Sequence, residues 1–277
     1  MFICLSIIGF SSVYSSPKSV KRLVSLNGSL TEIVFALGKG DLLVGVDLSS
    51  YYPDSANKLP KVGYQRTLSL EGILSLKPDL VVGTEEAGPA NVLDRLKDLG
   101  ISVELQKSAP SLEASTNRIR FLGKLLDEEK KAEGIASRIE KNIHRYQSKL
   151  PWKTQPVALM IYSRGKGMVN VAGSKTGGSV MIELAGATNY INEFEGYKPL
   201  TPEIVFKKKA DVLLLTTMSI QSLGGEAELW KLPGFHEMKP EQRPKLIVMD
   251  DLLLLGFSAR MDEAVLELQN KIAKSIK

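Results

Sequence analysis

Leu68, Ser69, Glu71, Lys77, Asp79 and Leu80 recur, identical or closely similar, as Leu200, Thr201, Glu203, Lys209, Asp211 and Val212, each displaced by 132 positions. Any helix leading into a parallel strand shares part of this pattern, so the common offset carries the inference more than the residue types do. One offset held across a helix and the strand after it implies two copies of one supersecondary unit. A chain of 277 residues has room for two such units, each with its own core.

The flanking pattern agrees. Short β-like runs (Leu23-Val24-Ser25-Leu26, Leu43-Val44-Gly45-Val46, Leu80-Val81-Val82) alternate with helical stretches at 31–37, 70–76 and 92–99. A second series follows Pro151, with runs at 157–162, 178–185, 212–215 and 246–249 and a helix from Met261. Such alternation predicts βαβ units around parallel sheets. Between the series, Ile119, Leu122, Leu126, Ile135, Ile139, Ile143, Tyr146 and Leu150 recur mostly at gaps of three or four, an amphipathic stripe. Asp127, followed by Glu128 and Glu129, predicts a fresh N-cap and splits the stretch into two helices. The second, of about 23 residues, would span roughly 34 Å before Pro151 ends it. The expected fold is α/β: two Rossmann-like lobes with parallel central sheets, residues 17–126 and 151–277, joined by one long linker helix at 127–150.

Residues 1–16 carry no charge, run apolar from Phe2 to Phe10 and then turn small and polar, the pattern of a secretory signal peptide. It is too short for a membrane span of about 20 apolar residues. Cys4, the one cysteine, falls inside it, so a processed chain has no disulfide, thiolate metal site or covalent haem attachment. The 36 basic residues exceed the 31 acidic ones by five, too weak a balance for a nucleic-acid surface but suited to an anionic small molecule.

Tyr64, two positions before Arg66, suggests a ligand for ferric iron. A phenolate is a hard anionic donor and one of the axial ligands that proteins use for haem iron. Because tyrosine titrates near ~10, it needs a cation or the metal to stay ionised at neutral pH, and Arg66 offers that charge. If the two residues lie extended, their side chains share a face. A tyrosine that packs by its ring and bonds by its hydroxyl fits the same spacing.

Other chemistries find little support. Two widely separated histidines, His144 and His236, do not suit a zinc or manganese carrier. The chain lacks a Gly-x-Ser-x-Gly elbow, a His-Glu-x-x-His helix and a P-loop; the glycine-rich run from Gly173 to Gly178 has the wrong order. A haem-dependent enzyme would need a distal acid or base, and none is evident.

Several segments resemble periplasmic substrate-binding proteins of the single-helix-linker class, specifically the haem-transport branch. They are Ser25-Leu26-Asn27-Gly28-Ser29-Leu30-Thr31-Glu32, the stretch from Lys61 to Gly83, Thr84-Glu85-Glu86-Ala87-Gly88-Pro89, Val171-Ala172-Gly173, Gly196-Tyr197-Lys198-Pro199-Leu200-Thr201-Pro202-Glu203 and Leu255-Gly256-Phe257. The Gly-Ser-Leu-Thr-Glu and Lys77-Pro78-Asp79 pieces are shared with siderophore and cobalamin carriers. Gly63-Tyr64-Gln65-Arg66 together with Gly196-Tyr197-Lys198-Pro199 is narrower and points to haem. A ferric siderophore or cobalamin carrier on the same scaffold is the alternative.

The resemblance implies a monomeric, non-enzymatic periplasmic protein that binds haem between its lobes and delivers it to an inner-membrane ABC permease and ATPase complex, with an outer-membrane haem receptor upstream. It implies Tyr64 as axial ligand, Arg66 as its partner, and Tyr197 in the cleft wall. Arg164, with Lys166 and Lys175, is a candidate for the propionates, although these positions read first as solvated loop charge. Arg260 ends a loop that would line the cleft. Glu71 and Glu203 would dock the two lobes onto permease arginines. With no histidine between Pro151 and Phe235, five-coordinate iron is expected, Met168 being a weak second ligand.

Overall fold

A computed structural model of the chain describes residues 20–165 and 167–276. The expected leader, with Cys4, and Lys166 lie outside the described residues. The first half runs β1 (Leu23–Ser25), α1 (Gly28–Ala36), β2 (Leu43–Val46), β3 (Gly63–Tyr64), β4 (Thr67–Leu68), α2 (Leu70–Ser75), β5 (Leu80–Thr84), α3 (Ala90–Asp98) and β6 (Ser102–Gln106). Then come α4 (Leu112–Leu125) and α5 (Glu129–Ser148). The second half begins with β7 (Val157–Ser163), β8 (Val169–Ala172), α6 (Gly177–Leu184), β9 (Thr188–Asn189), β10 (Tyr197–Pro199) and α7 (Pro202–Phe206). It ends with β11 (Val212–Thr216), α8 (Thr217–Leu223), α9 (Glu226–Leu229), β12 (Lys245–Met249), α10 (Asp251–Leu255) and α11 (Met261–Ser275).

The first sheet is parallel, in the order β2-β1-β5-β6. The second runs β10-β8-β7-β11-β12 with β9 beside β7. It is mixed: β7, β9, β11 and β12 are parallel, while β8 and β10 add antiparallel pairs at one side. Tight chain reversal from β7 into β8 needs no crossover helix, which explains the departure from a purely parallel sheet. Central strands β5 and β11 are buried at every position, so Leu-Val-Val-Gly-Thr and Val-Leu-Leu-Leu-Thr are apolar runs without alternation.

The 132-residue offset is a structural repeat. Ser69 and Thr201 cap α2 and α7 by accepting from the amides of Gly72 and Ile204, and β5 and β11 start and stop at equivalent positions. Asp79 and Asp211 both bond the backbone where the neighbouring first strand begins, at Lys21 and Arg22 in one half and Val157 in the other.

The break between α4 and α5 falls where expected, with a different device. Asp127 is not an N-cap: it sits at φ +55°, the left-handed region, and Glu128 precedes α5 without a side-chain cap. The amide of Glu128 bonds back to the Gly123 carbonyl at 2.7 Å, so Asp127 serves to turn the chain. A Cβ at Gly123 would collide with the Ala132 side chain, which is how the two helices pack so closely.

α5 has 20 residues, about 30 Å of helix. Ala132, Ala136, Ile139 and Ile143 form its buried stripe. Around it Leu30, Val82, Ile119 and Leu122 from the first half and Met160, Met181, Val212 and Leu268 from the second belong to one continuous apolar cluster. Each half has a further cluster of its own, around Val24, Ile73 and Val81 and around Leu159, Leu213 and Phe235.

Candidate functional site

Parallel α/β sheets place ligands beyond the carboxyl ends of their strands, and there the sequence builds a hairpin. β3 and β4 pair Gly63 with Leu68 and Tyr64 with Thr67, leaving Gln65 and Arg66 as a two-residue turn. Gly63 has φ +101°, a conformation that suits glycine. Buried Gln65 pins the turn to the lobe: its Oε1 accepts from Asn27 Nδ2 at 3.1 Å and Thr84 Oγ1 at 3.3 Å, and its carbonyl accepts from the Gly88 amide at 2.8 Å. Asn27 is also the N-cap of α1, accepting from Ser29. The hairpin is thus fixed to the ends of both β1 and β5.

Tyr64 and Arg66 are brought together, but not on one extended face. The tight turn curls Arg66 back so that its Nη1 donates to Tyr64 Oη at 3.0 Å, with the guanidinium carbon 5.9 Å from the ring centroid. Its Nη2 pairs with Glu86, whose other oxygen accepts from Ser108 Oγ at 3.3 Å. The phenol is left 40% exposed, open to a ligand.

The second lobe supplies a facing cluster. Tyr162, at the end of β7, and Tyr197, on β10, have ring centroids 5.3 Å apart at 43°. Arg164 stacks over Tyr162 at 4.4 Å. Burial pushes the Tyr162 phenol above the ordinary tyrosine range; Arg164 opposes the shift, and smaller influences come from Tyr64, which raises it, and Arg66, which lowers it. Partial desolvation likewise raises Tyr197, which is still 42% exposed, with Tyr162 adding to it. Tyr162 escapes notice in the sequence because it closes an apolar strand run and reads as core. Leu48, Leu105, Met168 and Met218 are exposed apolar side chains at the same strand ends, leaving surface suited to a flat apolar ligand.

Arg260 is held elsewhere. Its Nε and Nη2 donate to Glu32 at 3.0 and 2.8 Å, and its guanidinium lies 3.4 Å over the Tyr52 ring. Glu32, nearly fully buried on α1, also accepts from Ser258. Nearby Tyr51 Oη donates to Asp250 and accepts from the Leu252 amide at 2.8 Å, Ser115 Oγ donates to the Phe257 carbonyl, and Arg138 reaches the Ala259 carbonyl and Asp262. The segment from Asp250 to Asp262 is therefore a hub between the lobes. Sequence spacing gave no sign of it.

Lys175 is paired with Glu195, and Arg164 lies 3.7 Å from Asp251 as well as over Tyr162. His144 is exposed on α5, and His236 lies 3.4 Å from Glu237. No group of three or more His, Cys, Asp or Glu that could hold a metal ion is found among the described residues. Glu71 and Glu203 are exposed in the first turns of α2 and α7. Glu203 is held below the usual carboxylate range, chiefly by the Thr201 hydroxyl.

The fold has counterparts among known proteins. The periplasmic heme-binding protein RhuT of Roseiflexus sp. RS-1, in its apo form, superposes with a TM-score of 0.87 at 38% identity, covering 93% of this chain and 99% of that one. The ABC transporter substrate-binding lipoprotein YvrC of Bacillus subtilis is 29% identical over 92% of this chain and 81% of its own. The vitamin B12-binding protein of Vibrio parahaemolyticus is 29% identical over 83% of this chain and 82% of its own. With residues 23–252 matching its profile, and with relatives named as heme-binding, transporter substrate-binding and vitamin B12-binding proteins, the chain belongs to the periplasmic binding protein family.

Proposed function

We propose that this protein captures ferric haem between its lobes, with Tyr64 as axial ligand, and delivers it to the permease of an ABC importer. The observation that carries the reading is the exposed Tyr64 phenol with Arg66 Nη1 donating to it at 3.0 Å. A phenolate oxygen on the metal, as a hard anionic donor, favours ferric over ferrous iron. Reduction would then weaken the bond and help release. Tyr162, Tyr197 and Arg164 form the opposite wall, against which a porphyrin face packs. The heme-binding name of RhuT supports the assignment. Glu71 and Glu203, repeated on the two lobes, suit paired docking onto basic permease sites, where such charges set orientation and encounter rate.

The vitamin B12-binding relative favours a second reading, cobalamin as cargo. Titration of the purified protein with hemin, cyanocobalamin and a ferric siderophore separates them. The haem reading requires saturable growth of a tyrosinate-type haem spectrum, absent in Tyr64→Ala. Saturable binding of cobalamin with no response to hemin would replace it.

A further inference from the structure

Arg118, on α4, is a buried cation without a carboxylate partner. It is 5% exposed. Nη1 donates to Ser29 Oγ at 3.2 Å and Nη2 to the Lys107 carbonyl at 3.1 Å, both neutral acceptors, while buried Nε has no acceptor. Burial lowers its hold on the proton, with no charged group offsetting the cost. An uncompensated charge inside a protein is expensive, and a bound anion would offset that cost. Arg118 lines a cavity of about 360 Å³, together with Gln106, Lys107, Ser111, Glu113 and Asn117.

The surroundings favour an anion. Lys107 has no carboxylate partner among the described residues. Asn117 supplies an amide, and the 14-residue helix α4 begins at the cavity, its positive end adding to the two cations. Glu113 opposes them from the exposed rim. The cavity is linked to the hairpin through Glu86 and Ser108. Glu86 bonds Arg66 on one side and Ser108 on the other, and Ser108 directly follows Lys107.

We propose that this cavity is a carboxylate subsite in which Arg118 and Lys107 receive an acidic side group of the cargo while Tyr64 holds its metal. This inference rests on the haem reading, since haem carries both a metal and carboxylates. A charge-assisted pair at a buried guanidinium contributes about tenfold or more in affinity.

The test compares hemin with its dimethyl ester, which keeps the ring and iron but has no free carboxylate. Wild type should bind the free acid at least about tenfold more tightly. In Arg118→Gln that preference should fall toward unity while both complexes keep the tyrosinate-type spectrum. Lys107→Gln, an exposed change that spares folding, should reduce it in part, and Glu113→Gln should increase it. Equal binding of the two porphyrins by wild type overturns the proposal, as does an undiminished preference in the Lys107 variant and a folded Arg118 variant. Inorganic phosphate that raises the wild-type melting temperature, without any free-acid preference, assigns the cavity to a free oxyanion and also overturns it. A wild type whose hemin spectrum never changes defeats the haem reading instead.

Discussion

Arg66, in the two-residue turn that directly follows Tyr64 on β3, donates to the phenol oxygen of Tyr64 at 3.0 Å, so ligand candidate and cation sit in one hairpin. Tyr64→Ala should abolish the tyrosinate-type spectrum and weaken haem retention. Arg66→Ala, which leaves the donor oxygen in place, should cost about 10- to 100-fold in affinity. Hemin titrations followed in the visible region check both, and a wild-type spectrum from the Tyr64 variant would mean that another group binds the iron.

Reversing Glu71 and Glu203 together to lysine should leave haem affinity unchanged and stop uptake by the assembled importer. Each carboxylate is exposed and in a helix first turn. Transport into vesicles containing the permease measures the effect; undiminished uptake in the double variant rejects docking at these residues.

Glu32→Ala should destabilise the fold by about 3–5 kcal/mol, because it strands the Arg260 guanidinium, 17% exposed, without its carboxylate. Replacing both residues by apolar ones of similar volume should recover much of the loss. Denaturant unfolding of the single and double variants decides it.

Lobe motion on loading should be slight. The Asp250–Asp262 segment bonds α1, α4 and α5, and one apolar cluster runs through both lobes around α5. Bending an uninterrupted helix would also break its backbone bonds. Solution scattering should give nearly the same radius of gyration for free and loaded protein, and a large contraction would contradict a packed linker.

Arg120 on α4 chelates Glu133 and Glu140 of α5. Hydrogen bonds from Arg120 hold Glu133 down to about 2, and Glu140 below its ordinary value by the same cause. Both pKa values are depressed on folding, so the contribution is complete above the unfolded carboxylate range and is lost as pH falls from about 4.5 toward about 2. Melting temperatures of wild type and Arg120→Gln should therefore differ at pH 7 and converge in acid, with high salt narrowing the gap.

Much of the scaffold was legible in the chain itself. Fully apolar runs became β5 and β11, the three-and-four spacing of Ile139 and Ile143 became the buried stripe of α5, and the 132-residue offset became matched caps and strands, because burial and local hydrogen bonding act at fixed sequence periods. Asp127 shows the limit: its composition reads as a cap, whereas packing of Gly123 against Ala132 sets the local backbone and makes it a left-handed turn.

The sequence by itself determined a two-fold α/β repeat and singled out Tyr64 and Arg66 as neighbours. Tertiary structure alone decided that Arg66 turns back onto the phenol, that Tyr162 joins Tyr197 and Arg164 in one cluster, that Arg260 joins Glu32 across 228 positions, and that Arg118 is buried beside a cavity without a counter-charge. The physical reason is that periodicity reports which side of an element is buried, whereas the partner of a charged or aromatic side chain is chosen by non-local packing between elements far apart in the chain.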